Sequence, residues 1–262
     1  MNKSEPRHIK LDSHLHFYDS WNISLDQLLT VAHTNLTLEQ ADNTILPAIC
    51  LLDTGRETAP IHQQLNSSET GEWQTESIEN EPYTFWCKNH EKTLLVITGT
   101  QINTAEGLEV LVVGEQGDAA QGMPIKTLLE QQNDARLNII PWAAGKWLSK
   151  RGQLVTQLLE TRKPQQFILG DNAGRPWLWK NIEQLAYART HNIPILCGSD
   201  PLPLPKHYLK SGSYGNLVET SLDPEKPWKS IIQAIHKQPR AEAFGHLSSV
   251  PGFIINQLKL RL

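Results

Sequence analysis

Two histidines near the amino terminus are the residues best suited to chemistry. His14 and His16 stand two positions apart, and Asp19 follows three residues later. Because side chains on an extended strand alternate between its two faces, both imidazoles point to one side and can bind one metal ion together. A pair of core histidines is the alternative reading. The position of the pair, between an apolar run and the start of a helix, favours a metal site.

Three aspartates follow later apolar runs and are further candidates. Asp53 follows residues 49–52, Asp171 follows 167–170, and Asp200 follows 195–199. The carboxyl ends of parallel strands meet at one rim, where catalytic groups gather in such folds. We therefore predict Asp53 and Asp200 as metal ligands, and Asp200 and Asp171 as catalytic residues. For each aspartate a turn or helix cap is the structural alternative.

Imidazoles and carboxylates around one rim suit a divalent Zn, Mn or Fe ion with positions open for water or substrate. Such an ion activates a water molecule for hydrolysis. The sequence has no Gly-x-Ser-x-Gly elbow and no Walker-type phosphate loop. Metal-dependent hydrolysis is therefore the favoured chemistry.

Lys146 and Arg175 are the predicted substrate-binding residues. Lys146 lies between Trp142 and Trp147, and Arg175 follows the acid and glycine loop at 170–174. Arginine or lysine beside glycine can hold a phosphate or a carboxylate. Solvated surface charge is the alternative for both residues.

The elements that must position these residues alternate between strand and helix. Helical patterns start after a capping Ser24, recur at 154–159 and 231–235, and extend from Pro176 to about 190. The alternation predicts a mainly parallel sheet, closed as a barrel or open and doubly wound. Strand-like apolar runs occur at 8–12, 45–52, 83–87, 93–98, 108–113, 137–142, 166–170 and 193–198.

One domain spanning 1–262 accounts for this pattern, with a probable inserted loop and hairpin at 55–98. The segment 55–92 is rich in Ser, Thr, Glu and Gln and lacks a helical stripe. A long connection at one face of a barrel is either a functional lid or a solvated insertion.

Composition indicates a globular chain and a reducing compartment. The 262 residues are 39% hydrophobic and 20% charged, with a formal net charge of −4. The negative balance argues against a broad basic face, so we expect a small-molecule substrate, possibly phosphorylated, and consider nucleic acid unlikely. Cys50, Cys87 and Cys197 are widely separated, which favours free thiols. No apolar run is long enough for a membrane span, so we expect no membrane partner and a cytoplasmic location.

The order of these motifs resembles the PHP (polymerase and histidinol phosphatase) family of metal-dependent phosphoesterases, and more distantly the amidohydrolase barrels. His14-Leu15-His16 with Asp19 looks like the opening motif of that family, and residues 24–29 look like its first helix. Gly198-Ser199-Asp200 is similar to its closing motif. The resemblance implies an α/β fold, a distorted TIM-like (β/α)7 barrel of PHP type.

The chain departs from the PHP pattern at several ligand positions. Thr54, Gln101, Pro141 and Leu202 stand at or beside positions where the family carries metal ligands, and Glu109 falls near a usual histidine. The resemblance therefore implies one metal held by His14, His16 and Asp200, with Asp53 or Glu109, rather than a full three-metal site. A phosphoesterase is the first hypothesis. A barrel that has lost catalysis and binds a ligand or protein is the second, and an amidohydrolase ranks below both.

Overall fold

The computed structural model describes residues 7–38, 45–55, 59–67, 71–116 and 120–261. Within them a mixed sheet is surrounded by helices. The strands are β1 (Arg7–Leu15), β2 (Ile45–Asp53), β3 (Gln74–Ile78), β4 (Glu81–Asn89), β5 (Lys92–Asn103), β6 (Glu109–Val113), β7 (Leu137–Pro141), β8 (Ile168–Asn172), β9 (Ile195–Gly198), β10 (Tyr214–Thr220) and β11 (Glu242–Gly245). The helices are α1 (Leu25–Thr37), α2 (Ile61–Asn66), α3 (Ile125–Glu130), α4 (Ser149–Glu160), α5 (Glu183–Thr190), α6 (Pro227–Lys237) and α7 (Val250–Lys259).

The sheet forms a nearly closed barrel with the strand order β11-β10-β1-β2-β5-β6-β7-β8-β9. Strands β3 and β4 lie off this path, and β4 pairs with β5. The seam closes where β9 approaches β1, since the Ser13 hydroxyl donates to the Cys197 carbonyl at 2.9 Å. The fold is thus a distorted TIM-like α/β barrel of the PHP type, as the sequence predicts.

The sheet contains more antiparallel pairings than the alternation of strands and helices predicts, chiefly at β6. Strand β6 is antiparallel to both β5 and β7, and β1 is antiparallel to β10, whereas β1, β2 and β5 run parallel, as do β7, β8 and β9. The reason is the short connection at 104–108 between β5 and β6, which is long enough for a hairpin but too short for a crossover.

Apolar residues that alternate along the strands fill the barrel, and α6 closes its amino-terminal end. Trp228, Ile231 and Ile235 of α6 belong to the same buried cluster as the inward residues of the strands. Glu81 fixes the start of α6, since its carboxylate accepts the amide N–H groups of Trp228 and Lys229, both at 2.8 Å. The candidate functional site lies at the opposite end of the barrel, where the parallel strands end.

The outer helices follow the sequence patterns with one exception. Ser24 caps α1 as predicted, accepting the amide of Gln27 at 3.2 Å while the Gln27 side chain accepts the amide of Ser24 at 3.0 Å. No helix starts at Pro176, because the backbone there pairs with Ser248 instead, and α5 begins only at Glu183.

Residues of the predicted insertion at 55–98 form α2, β3, β4 and most of β5, with 56–58 and 68–70 outside the described residues. All three cysteines are buried and free. Within the described residues, no helix combines the length and apolarity that crossing a membrane requires.

Candidate metal centre

Three predicted ligands converge at the carboxyl-terminal rim of the barrel. The Nε2 atoms of His14 and His16 are 2.9 Å apart, and Asp200 Oδ1 lies 3.7 Å from His14 Nε2. One ligand atom from each of the three residues lies within 4.8 Å of the other two. Among the described residues, this is the group of histidine, cysteine and acidic side chains that could hold a metal ion.

The end of β1 and the residue that follows it place both imidazoles in the barrel mouth. The register of β1 with β2 shifts between Asp12 and Leu15, so the strand pairing is irregular at the histidines. His16 Nδ1 lies 2.9 Å from the Leu52 carbonyl, which accepts its hydrogen and leaves the lone pair on Nε2. Burial, followed by the nearby His14, lowers the pKa of His16. The neutral imidazole that binds metals is therefore favoured.

Asp200 is held in place by its backbone and by a neighbouring strand. It has a φ of 41°, in the left-handed region that residues other than glycine rarely adopt. Its amide donates to the His14 carbonyl at 2.8 Å, and the Asn172 side-chain amide donates to its Oδ2 at 2.9 Å. These contacts orient the carboxylate toward the two histidines.

The seam between β1 and β9 is tied together beneath the site by Asp12. Its buried carboxylate accepts the amides of Ser199 and Gly212, both at 2.9 Å, the amide of His14 at 3.2 Å and the Ser199 hydroxyl at 2.5 Å. At Gly198, the last residue of β9, a Cβ atom would lie 2.4 Å from the His14 Cβ atom. Only glycine permits this approach.

The other two predicted ligands have partners of their own. Glu109 lines the same cavity as the histidines, but its Oε1 lies 2.5 Å from Lys146 Nζ. Asp53 is the last residue of β2, yet its carboxylate accepts the amide of Ile61 at 3.0 Å and so caps α2. Neither belongs to the three-residue group.

Asp171 lies on the other face of β8, and Arg175 follows that strand by three residues. They form a buried two-point ion pair, with contacts of 2.7 and 2.6 Å. They line a separate cavity of about 700 Å³ with Tyr214 and Cys197. Since side chains alternate along a strand, Asp171 points away from the site when Asn172 points into it. The structure thus brings Lys146 beside the histidine cavity, through Glu109, but not Arg175 or Asp171.

Three residues that the sequence reasoning did not select complete the site. Gln101 Oε1 lies 3.1 Å from His14 Nε2, Asn172 binds Asp200, and the Tyr18 ring contacts His16. Gln101 and Asn172 both stand near the ends of strands, which is the signal that could have identified them. Together these side chains border a cavity of about 280 Å³, whose outer wall is α7.

Fold and site together define a PHP-type barrel with a candidate metal centre at its carboxyl rim. No protein-family model matches the sequence, and no curated protein matches it significantly. Among solved structures, PsfC from Pseudomonas syringae PB-5123 is similar, with 13% identity over 98% of both chains and a TM-score of 0.58. At this identity the likeness shows the fold alone.

Two other similar structures are endonucleases. The lesion-specific endonuclease PfuEndoQ from Pyrococcus furiosus has 13% identity and a TM-score of 0.53, over 91% of this chain and 58% of that one. An Endonuclease Q complex with a 27-mer duplex substrate carrying an abasic lesion has 14% identity and a TM-score of 0.51, over 88% and 57%. The present chain thus spans little more than half the length of these enzymes.

The expectation that nucleic acid is an unlikely partner is wrong. It rested on the net charge of −4, yet the same fold occurs in an endonuclease that was solved with its duplex substrate. A summed charge does not describe the charge around one site. Nucleic acid therefore stays among the partner classes to test.

Proposed function

We propose that this protein is a metal-dependent hydrolase of phosphoesters, with a divalent cation held by His14, His16 and Asp200. The observation that carries the proposal is the convergence of two imidazole Nε2 atoms, 2.9 Å apart, beside the carboxylate of Asp200. The fold places these groups at the rim where barrel enzymes carry their active sites.

The residues present fit one cation. Two imidazoles and a carboxylate are ligands that Zn, Mn and Fe share, and three protein ligands leave positions open, as in catalytic sites. Glu109 and Asp53 are already bound to Lys146 and to the start of α2, which argues against a second cation. When bound, a divalent cation activates water and neutralises charge on a phosphoryl oxygen.

The chain's own residues then hold and orient the reactants. Asn172 fixes the Asp200 carboxylate, and the Leu52 carbonyl keeps the proton of His16 on Nδ1. Lys146 lies beside the cavity through Glu109 and can turn toward an anionic substrate, since its side chain is about 29% exposed. When the Lys146 ammonium group leaves the Glu109 carboxylate and contacts a phosphate oxygen, its positive charge remains paired with a negative one.

Metal analysis of protein purified without a histidine tag tests the proposal. We expect about one Zn, Mn or Fe per chain in the wild type and almost none in the His14→Ala/His16→Ala variant. The matched control is His8→Ala/His246→Ala, which removes two exposed histidines and should keep the metal. Equal metal content in all three proteins would refute the proposed centre.

The second candidate is a barrel that binds a ligand or protein without catalysis. The pairing of Glu109 with Lys146 favours it, because one predicted ligand is engaged in a salt bridge. A screen of phosphomonoesters, phosphodiesters, oligonucleotides and amides with added Mn, Zn or Fe separates the two candidates. Turnover that a chelator abolishes and the metal restores would exclude the binding-only barrel, and turnover of amides alone would favour an amidohydrolase.

A further inference from the structure

Large apolar side chains are exposed on one side of the molecule. The described residues include ten exposed large hydrophobic side chains, and eight of them lie in three segments, 174–181, 201–213 and 246–261. We call these segments the mouth rim. The eight are Trp177, Leu178, Trp179, Leu209, Ile254, Ile255, Leu258 and Leu260. Contiguous exposed apolar surface of this kind marks an interaction site.

The three segments lie against one another around the candidate metal centre. The Trp177 amide donates to the Ser248 carbonyl at 3.0 Å, and the His207 and Asn256 side chains form a hydrogen bond. Each segment also lines the metal cavity, through Gly174, Leu202 and the inner face of α7. The mouth rim therefore surrounds the opening of the site.

The mouth rim is basic although the chain as a whole is acidic. Its three segments contain no aspartate or glutamate, whereas the whole chain has 28 acidic and 24 basic residues. Its exposed cations are Lys180, Lys206, Lys210, Lys259 and Arg261. The partner that fits this surface therefore combines apolar groups with negative charge.

Helix α7 has the side-chain distribution of a helix that lies at an interface. Phe253, Asn256 and Gln257 face the cavity. Ile254, Ile255 and Leu258 form the outer stripe and are 52%, 50% and 59% exposed. At about 100° per residue, Lys259 flanks this stripe on one side, and Arg261 follows two residues after the end of the helix. Cations at the edges of an apolar stripe place their charges at headgroup level while the stripe enters the acyl region.

We propose that the mouth rim binds the surface of an anionic lipid bilayer and sets the opening of the metal site against it. Tryptophans and flanking lysines are typical of the membrane interface. A second copy of this chain fits less well, because the mouth rim has no acidic residue that could pair with the cations of a partner's rim. Nucleic acid fits less well because its surface offers no apolar counterpart to Ile254, Ile255 and Leu258. This proposal goes beyond the hydrolase activity and does not depend on it.

Flotation of the full chain with lipid vesicles tests the proposal. The probes are vesicles of phosphatidylcholine alone and of equimolar phosphatidylcholine and phosphatidylglycerol. We expect binding to the anionic vesicles that weakens as salt is raised. The Lys259→Gln/Arg261→Gln variant should bind about fivefold more weakly for each cation removed. The Ile254→Ser/Leu258→Ser variant should lose at least about tenfold in partitioning.

The matched control is Leu38→Ser/Lys88→Gln, which changes an exposed leucine and an exposed lysine outside the mouth rim and should bind like the wild type. Far-UV circular dichroism and thermal melts verify that every variant is folded. Three outcomes would overturn the proposal: no binding to anionic vesicles, equal losses in the control, or a wild-type dimer that the Ile254→Ser/Leu258→Ser variant dissociates. Loss of oligonucleotide binding in the rim variants, without vesicle binding, would assign the surface to nucleic acid instead.

Discussion

Replacing Gly198 with alanine tests whether the β1–β9 seam positions the metal centre. The added Cβ atom would lie 2.4 Å from the Cβ atom and 2.6 Å from the amide nitrogen of His14. Carbon atoms in contact prefer about 3.5–4.0 Å, so the strands must separate by about 1 Å. The 2.8 Å hydrogen bond from the Asp200 amide to the His14 carbonyl would then open beyond a useful length.

The expected cost follows from these distances. Overpacking of a closed seam destabilises by about 1–3 kcal/mol, and the lost hydrogen bond adds about 1 kcal/mol. In a thermal melt, Tm should fall by roughly 5–10 °C. A shift of about 1 Å also exceeds the precision of about 0.5 Å that a site tolerates, so metal affinity measured by calorimetry should fall about 10–100-fold.

The control for this experiment is Gly122→Ala. Gly122 has a φ of 77° and no atom within 4 Å of an added Cβ, so the substitution strains the backbone without a steric clash. It should lower stability by about 1–2 kcal/mol and leave metal affinity unchanged. If Gly198→Ala lowered Tm but kept wild-type metal affinity, the seam would not position the ligands, and the reasoning would be wrong.

Three further predictions concern the groups that hold the barrel together. Asp12→Asn leaves backbone N–H donors facing an amide NH₂, so the free energy of unfolding measured by urea denaturation should fall by about 1–3 kcal/mol. The control is Asp134→Asn at an exposed position, which should change this free energy by less than about 0.5 kcal/mol. Glu81→Gln removes one of the two acceptors at the start of α6 and should cost about 1–2 kcal/mol in the same assay; an unchanged midpoint would contradict the cap. Burial lowers the pKa of His33 below 6.5, so the stability that its neutral form contributes is complete above pH 6.5 and is lost as pH falls below that value. The His33→Gln variant should therefore show a smaller decrease in Tm on acidification than the wild type.

The grouping of His14, His16 and Asp200 was predictable because its signals are local. His14 and His16 lie two positions apart at the end of β1, and the spacing of two is what predicted that their side chains share one side. Asp200 was predictable because it follows an apolar run that ends at the same rim. The cap at Ser24 is local in the same sense, since its partner Gln27 lies three residues away.

Other features depend on contacts that the sequence does not display. Ile168 and Leu169 are both apolar, so the pattern does not reveal which face of β8 is inside the barrel, and Asp171 was chosen where Asn172 faces the site. The reversal of β6 depends on how a five-residue connection folds. The net charge hid the basic mouth rim because acidic residues elsewhere in the chain offset it.

Because α6 closes the amino-terminal end of the barrel, it limits how a ligand can enter and leave. Trp228, Ile231 and Ile235 pack among the inward residues of the strands, so within the described part of the chain they close the far end of the barrel. A ligand of the site therefore enters and leaves through the same opening, which α7 borders. If the proposed hydrolase activity is present, substrate and product share this one opening, and compounds that resemble the product should inhibit competitively with the substrate.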